Sequence, residues 1–397
     1  MRERNWTRRE FMRLTGLGSV AMSLACTRST WTGVPQPPKE LWVYVGTYTS
    51  GGKGEGIYLC RLDLATGTLH RVGVTRGVAE PSFLAMDREG RYLYAVNELT
   101  ELDGKPGGAV SAFRIHPQTR ELTFINQQPT QGGAPCHLAV SANGRFVLVA
   151  NYVGGNVSVL PVRPEGGLDA AIDVKQHEGS GANPKRQSGP HAHQVVLDAA
   201  DRHAFVPDLG LDKIMVYRFD SEQGRLTPGE PGWVSTQPGA GPRHLTFHPN
   251  GRFAFGIHEM SPTITAYAYD EKSGVLKELQ TVPALPPGFT GTSYGADIHV
   301  SPDGLFLYGS IRGHDSIVVH AIDSSGRLTY VEHVLTRGRW PRNFAIEPTG
   351  RYLLVANQHT NDIFCFERDR QTGRLTPAGE AVEIPSPVCL LVVPPTV

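Results

Sequence analysis

The 397-residue chain is predicted to be all-β: a seven-bladed β-propeller of four-stranded antiparallel blades, closed by a C-terminal strand that completes the first blade. Three observations lead to this fold class. A phrase made of a turn, an Arg-aromatic pair, alternating apolar residues and a final polar pair recurs about every fifty residues. Each copy is followed by a second strand of clean period-two alternation. One inner strand is missing from the start of the array and stands at its far end.

Residues 1–30 read as an export signal outside the fold. Thr7-Arg8-Arg9-Glu10-Phe11-Met12-Arg13 resembles a twin-arginine signal, and a mildly apolar run from Leu14 to Ala25 follows it. Small residues at Ser23 and Ala25 suit cleavage after Ala25, whereas Cys26 resembles a lipoprotein cysteine, so simple release and a lipid anchor at Cys26 both stay open. The Thr- and Pro-rich stretch behind it, with 31–40 as its body, reads as a flexible tether. Residues 41–397 then form a single propeller domain, expected in the periplasm.

Within that domain the opening copy is Leu41-Trp-Val-Tyr-Val-Gly-Thr-Tyr48, which lacks its turn. Full copies are Gly90 to Glu98, Gly144 to Tyr152, Gly251 to Glu259, Gly304 to Arg312 and Gly350 to Gln358. Asp201 to Asp208 is a variant with aspartate in the glycine place. The second strands run Ile57 to Leu62, Val110 to Ile115, Val157 to Val162, Ile214 to Phe219, Ile264 to Tyr269, Ile317 to Ile322 and Ile363 to Phe366. Ahead of six copies an inner strand opens at Pro81, Pro135, Pro190, Pro242, Gly295 or Pro341. The seventh, Ser386-Pro-Val-Cys-Leu-Leu-Val-Val393, ends the chain and closes the ring, which removes two exposed sheet edges.

Composition excludes several function classes. With 38 basic and 38 acidic residues, the chain has no electrostatic footprint for nucleic acid. No apolar run reaches the roughly 18–20 residues of a spanning helix, so no transmembrane span is expected after processing. The 45 glycines and 30 prolines suit many tight turns. Cys60, Cys136, Cys365 and Cys389 form no C-x-x-C pair, and Cys60, Cys365 and Cys389 fall in apolar strand patterns as buried thiols.

Topology then selects a site. If the strands of a blade are lettered A to D from the channel outward, the D-to-A and B-to-C connections of every blade share one face. The residues at the start of A and the end of B therefore ring one mouth of the channel. The A starts contribute His137, His191, His193, Arg243, His244, Tyr294, Arg342 and Asn343. The B ends contribute Asn97, Glu98, Asn151, Tyr152, Asp208, His258, Glu259, Arg312, Asn357 and Gln358.

Arg243, Arg312 and Arg342 converge from three consecutive blades, which points to an anionic ligand, a carboxylate or a phosphate. The competing explanation pairs each with a local acid: Glu259, Asp315 or Asp297. Glu259 is the candidate general acid or base, set against a plain ion pair with Arg243. His191 and His193, two apart on a strand, are expected on one side, one transferring protons while the other orients it. His137, His244, Arg342, Asn343, Asn357 and Asn151 are candidate substrate-binding residues. No compact spacing among His191, His193 and His244 demands a metal, and neither metal nor cofactor is expected. Nothing marks Cys136 as an activated thiol.

The phrases Gly46-Thr-Tyr-Thr-Ser50, Gly189-Pro-His-Ala-His193, Gly241-Pro-Arg-His244, His258-Glu259, Arg312-Gly-His-Asp-Ser-Ile317, Pro341-Arg-Asn-Phe344 and Ala356-Asn-Gln358 resemble the lactonase family of seven-bladed propellers. That family includes 6-phosphogluconolactonases and 3-carboxy-cis,cis-muconate cyclases. The resemblance runs from Leu41 to Val393. It implies a metal-free site in which His191 or His193, Arg243, Glu259 and Arg312 act together, the arginines on substrate carboxylate or phosphate and the Glu and His on proton transfer. Ser310 departs from the pattern, standing where an Asn often precedes the arginine. The expected activity is hydrolysis of an anionic or sugar-derived lactone by an exported 6-phosphogluconolactonase-like enzyme. A non-catalytic propeller binding an anionic ligand or envelope partner, and a muconate-type cycloisomerase, are the alternatives.

Overall fold

The computed structural model describes residues 38–52 and 54–393; the predicted signal, Cys26 and most of the tether lie outside them. Seven four-stranded antiparallel sheets form the blades. Among the described residues the only helical element is a short 3-10 turn at Ser50–Gly52. No helix there is long and apolar enough to cross a membrane.

The B strands explain the recurring phrase. Phe146–Asn151, Phe253–His258 and Tyr352–Asn357 are buried along their whole length, because both faces of an inner strand meet neighbouring blades. A continuous apolar run is what such a strand needs. The cores accordingly lie between blades: Tyr352, Leu354 and Ala356 of the seventh pack with Val43, Val45 and Tyr58 of the first. The A-to-B turns are fixed by Gly90, Gly144, Gly251 and Gly350, with φ between 66° and 70°. Asp201 takes that left-handed place in the fourth blade with φ 52°, a conformation that aspartate tolerates better than most residues.

Ring closure follows the predicted route. Pro387–Val392 pairs antiparallel with Glu40–Thr47, Val43 opposite Val392 and Val45 opposite Leu390. It becomes the innermost strand of the first blade, and the propeller starts at Glu40, one residue before the predicted boundary.

One feature of the A strands has no counterpart in a simple alternation pattern. Each paired A strand of the third, fifth and seventh blades shifts register at its mouth end: between Pro135 and His137, Pro242 and His244, and Pro341 and Asn343. The extra residue of each bulge is Cys136, Arg243 or Arg342. A bulge re-aims side chains and interrupts the ladder, so two consecutive residues can both face the channel. The fourth blade departs further, keeping only Val196–Leu197 as a regular A strand, with a single bridge from Ala192 to Asp208. The His191 N–H is bonded to the Asp208 carboxylate (2.7 Å) rather than to the ladder.

Below the mouth, a belt of contacts links every neighbouring pair of blades. Phe83 packs on His137 (ring centroids 3.9 Å), and the Cys136 thiol donates to the His193 carbonyl (3.2 Å). Leu245 N donates to Gln194 Oε1 (2.6 Å) and His244 Nδ1 to Asp297 Oδ1 (2.8 Å). Asn343 Nδ2 donates to Asp297 Oδ2 (2.6 Å) while its Oδ1 accepts from Leu390 N (2.7 Å). Leu84 N meets Cys389 Sγ (3.3 Å) and completes the circle. Buried polar groups satisfied in this way fix the register of one blade on the next.

Candidate active site

A cavity of about 220 Å³ opens at the predicted mouth, lined by Tyr48, Glu98, Cys136, Tyr152, Arg186, His193, Glu259, Arg312 and Arg342. All seven blades or their connections surround it, as a ring of A starts and B ends requires.

Glu259 is its electrostatic centre. Oε2 accepts from Arg243 Nε (3.1 Å) and Arg312 Nη2 (2.8 Å), and Oε1 accepts from Arg186 Nη2 (2.7 Å). Burial alone would raise the carboxyl, but Arg312, Arg243 and Arg186 overcome it and hold Glu259 far below its ordinary 4.5. It is a permanent anion and a weak base.

Arg243 is almost wholly enclosed, 2% exposed. Its Nη1 donates to the Ala296 carbonyl (2.7 Å) and reaches His244 Nε2 (3.2 Å). Burial, then Arg312 and Arg342, push its guanidinium down from 12.5, an effect that Glu259 opposes. Arg312 donates from Nη2 to the Gly295 carbonyl (2.9 Å) and lies 5.8 and 5.5 Å from the ring centres of Tyr294 and Trp340. Arg342 differs from both. Its guanidinium sits 5.5 Å from the Tyr48 ring centre, and no carboxylate is bonded to it among the described residues.

The histidines separate. His193 is on the cavity wall, with Nδ1 3.9 Å from Cys136 Sγ. Burial, followed by the positive charge of Arg243, lowers its pKa well below 6.5. His191 instead stacks on Tyr152 (4.6 Å, 15° between planes) with Nδ1 on the Tyr152 carbonyl (2.9 Å). The expected same-side pair is thus split, because this segment is not a regular strand. His137 and His244 lie in the belt, His137 edge-on to His244 at 5.5 Å. His244 binds Asp297 through Nδ1, and its Nε2 accepts from Arg243. That fixes a neutral imidazole, which burial and then Arg243 keep down at about 4. Asn343 is also a belt residue.

Asn151 and Asn357 serve their own blades. Asn151 Nδ2 donates to Asn156 Oδ1 (2.7 Å) and Asn357 Nδ2 to Asp362 Oδ1 (2.8 Å). Asn97 does the same work, bonding the Ala79 carbonyl (2.6 Å). Of the local acids proposed for the arginines, Asp297 is taken by His244, His299 and Asn343, and Asp315 by the backbone N–H groups of Gly313 and Trp340. Only Glu259 pairs with the cluster. Cys60, Cys136, Cys365 and Cys389 are all free and buried. Burial pushes the Cys136 thiol far up, which removes it as a nucleophile. Among the described residues no group of three or more His, Cys, Asp or Glu is spaced to hold a metal ion.

Sequence reasoning left three wall residues out of the mouth: Cys136, the extra residue of its bulge, Tyr48 and Arg186. Tyr48 ends the turnless first copy, and its register with Glu98, Tyr152 and Glu259 was available to find it. Arg186 lies in the long connection between Asp173–Gln176 and the fourth blade, which has no repeat counterpart. Gln187 beside it is fully buried and donates to the Leu209 carbonyl (2.8 Å) and Asp212 (2.7 Å), so Arg186 is presented from an anchored loop.

The family model described as lactonase, 7-bladed beta-propeller, matches residues 42–392. The chain is 40% identical over 348 residues to a 6-phosphogluconolactonase of Bacillus subtilis, covering 87% of this chain and 97% of the relative. A 6-phosphogluconolactonase of Formosa agariphila is 35% identical over 338 residues, 84% of this chain and 94% of the relative. Among solved structures, a periplasmic gluconolactonase of Pseudomonas aeruginosa is 38% identical. It superposes with a TM-score of 0.84 over 89% of this chain and 99% of that one.

Proposed function

Since the chain belongs to the lactonase family of seven-bladed β-propellers, we propose that it is an exported hydrolase that opens an anionic or sugar-derived lactone. One observation carries the reading: the charge balance of the cavity. Among the described residues Arg186, Arg312 and Arg342 on the wall face only Glu98 and Glu259, Arg243 is bonded to Glu259, and no carboxylate is bonded to Arg342.

A lactone carbonyl among these guanidiniums is polarised, and the oxyanion formed when water adds meets charges already in place. His193 is the group placed to move the proton. With Nδ1 protonated toward Cys136 Sγ, Nε2 keeps its lone pair for the attacking water. The imidazole is neutral at pH 7 and can accept that proton. The imidazolium it becomes is strongly acidic for its kind and returns the proton to the departing ring oxygen as the C–O bond breaks. Glu259 is a positioning residue in this scheme, fixing Arg312 and Arg186 rather than activating water.

Ring opening over a panel of lactones, with spontaneous hydrolysis subtracted, tests the proposal in wild type and His193→Ala. Catalysis in the wild type that the variant loses is expected. Equal background rates in both proteins would sink it, and aldonate binding without turnover would leave a ligand-binding propeller instead. Export rests on Thr7 to Arg13, and the Pseudomonas relative is described as periplasmic. Arg8→Lys with Arg9→Lys should retain the protein in the cytoplasm; unchanged periplasmic recovery would overturn that part. Labelling with a lipid precursor decides whether Cys26 is acylated.

A further inference from the structure

Tyr48 and Glu98 also border a second pocket, a chamber open to solvent of about 450 Å³, lined by Tyr48, Ser50, Glu80, Glu98, Leu99 and Thr100. Its chemistry is the reverse of the first. Among the described residues no arginine or lysine lines it, and two carboxylates and three hydroxyls do. Tyr48 OH donates to Glu98 Oε2 (2.9 Å). Glu80 Oε1 accepts from Ser50 N (2.5 Å) and Thr49 Oγ1 (3.2 Å). Glu98 Oε1 and Glu80 Oε2 have no partner among the described residues.

Glu80 is not there to make its turn. It holds the left-handed place before the proline that opens an A strand, with φ 46°. Ala134 (φ 49°) and Gly241 (φ 64°) occupy the same place in two other blades, so the fold asks for no carboxylate. One oxygen of the head group ties down the Thr49–Ser50 turn, which leaves Oε2 as the oxygen available to a ligand in this pocket.

Size agrees. The arginine cavity alone falls below the roughly 300–1,000 Å³ usual for small-molecule sites, and the adjoining chamber brings the pair into that range. Ionised carboxylates only accept hydrogen bonds, so free carboxylate oxygens beside hydroxyls recognise a ligand rich in O–H donors and reject an anion.

We propose, building on the lactonase reading, that the substrate is an aldonolactone carrying a second sugar unit. Its lactone ring sits among Arg186, Arg312 and Arg342, and its glycosyl arm lies across Tyr48 with hydroxyls donated to Glu98 and Glu80. The hydrolytic step is unchanged: water adds to the carbonyl, the ring C–O bond breaks, and a disaccharide aldonate leaves.

The test compares cellobiono-1,5-lactone with glucono-1,5-lactone, subtracting spontaneous opening. A kcat/KM about tenfold or more in favour of the disaccharide is expected, as one or two hydrogen bonds to charged acceptors supply. Thr100→Trp, which fills the exposed rim of the chamber, should bring the ratio near one, and Glu80→Gln with Glu98→Gln should lower it. A wild-type ratio of one, or a ratio that Thr100→Trp leaves untouched, overturns the inference while the lactonase reading stands. If neither lactone is opened, that reading fails. Calorimetry with cellobionolactam against gluconolactam then decides the second chamber by itself, equal affinities counting against it.

Discussion

Replacing Glu259 by Gln tests the electrostatic account most directly. The substitution keeps shape and removes one charge, leaving Arg243, Arg312 and Arg186 without their shared counter-ion. Arg243 and Arg312 are buried at 2% and 5% exposure, so they cannot simply return to water. Removing one member of a buried pair costs about 3–5 kcal/mol. Unfolding entropy near 2.1 cal/mol/K per residue over about 350 residues amounts to about 0.7 kcal/mol/K, so the melting temperature should fall by about 4–7 °C. Sulfate should restore the variant more than it stabilises wild type, because an anion can occupy the vacated charge. A pH arm adds a sign. The folded-state pKa of Glu259 is depressed, so its contribution is complete above the ordinary 4.5. It fades as pH falls below that value and is gone once pH passes the much lower folded value. Stability of the wild type should therefore drop more steeply than that of the variant on acidification below 4.5. Thermal melts by circular dichroism over pH and sulfate concentration measure all three quantities. A shift under about 1 °C, with equal sulfate responses, would refute the claim that Glu259 neutralises the cluster.

His193→Gln should lower kcat by about 10²–10⁴ with KM nearly kept, as loss of a proton-transfer group does; a KM effect alone would assign it to binding. The acid limb of the wild-type rate should lie below pH 6.5, since burial and Arg243 lower the His193 pKa and the active form is the neutral imidazole. Arg342→Ala should cut kcat/KM about 10- to 100-fold for a phosphorylated or carboxylated lactone and little for a neutral one, with the melting temperature nearly unchanged because no ion pair is broken. Asp297→Ala strips acceptors from His244, Asn343 and His299 at once. It should cost about 3–5 kcal/mol, read as a lower urea midpoint, without Arg342-like substrate discrimination.

The fold was legible because its signal repeats. Seven B strands buried on both faces call for seven apolar runs, and Gly90, Gly144, Gly251 and Gly350 mark the turns that precede four of them. The site was legible only where it borrows that repeat. Glu98, Glu259, Arg312, Arg342 and His193 occupy indexed positions and lie on the cavity wall, whereas Arg186 comes from an unindexed loop. Repetition also misled. Asn151 and Asn357 share a place with Asn97, and a residue that recurs in blade after blade is there for the blade. The bulges were hidden for another reason: an extra residue in a strand changes register without changing composition, so the sequence put Arg243 and His244 together at the mouth without separating their roles.

That bulge explains how neighbours in sequence hold different posts. His244 faces the belt, where Asp297 and the rest join blade to blade, and Arg243 faces Glu259, where the charge cluster is assembled. Arg243 Nη1 nevertheless bonds His244 Nε2 (3.2 Å), so the cluster is braced directly on the belt. The contact works only with a neutral imidazole whose Nδ1–H is committed to Asp297; a protonated His244 would turn a donor toward the guanidinium and repel it. Burial, which keeps His244 down at about 4, therefore does two things at once. It holds the fifth and sixth blades together through a neutral-histidine bond, and it preserves the acceptor against which Arg243 is aimed. A ring of equivalent blades can in this way carry an asymmetric site: the belt is built once around the whole channel, and single bulged residues are braced against it where a blade supplies chemistry.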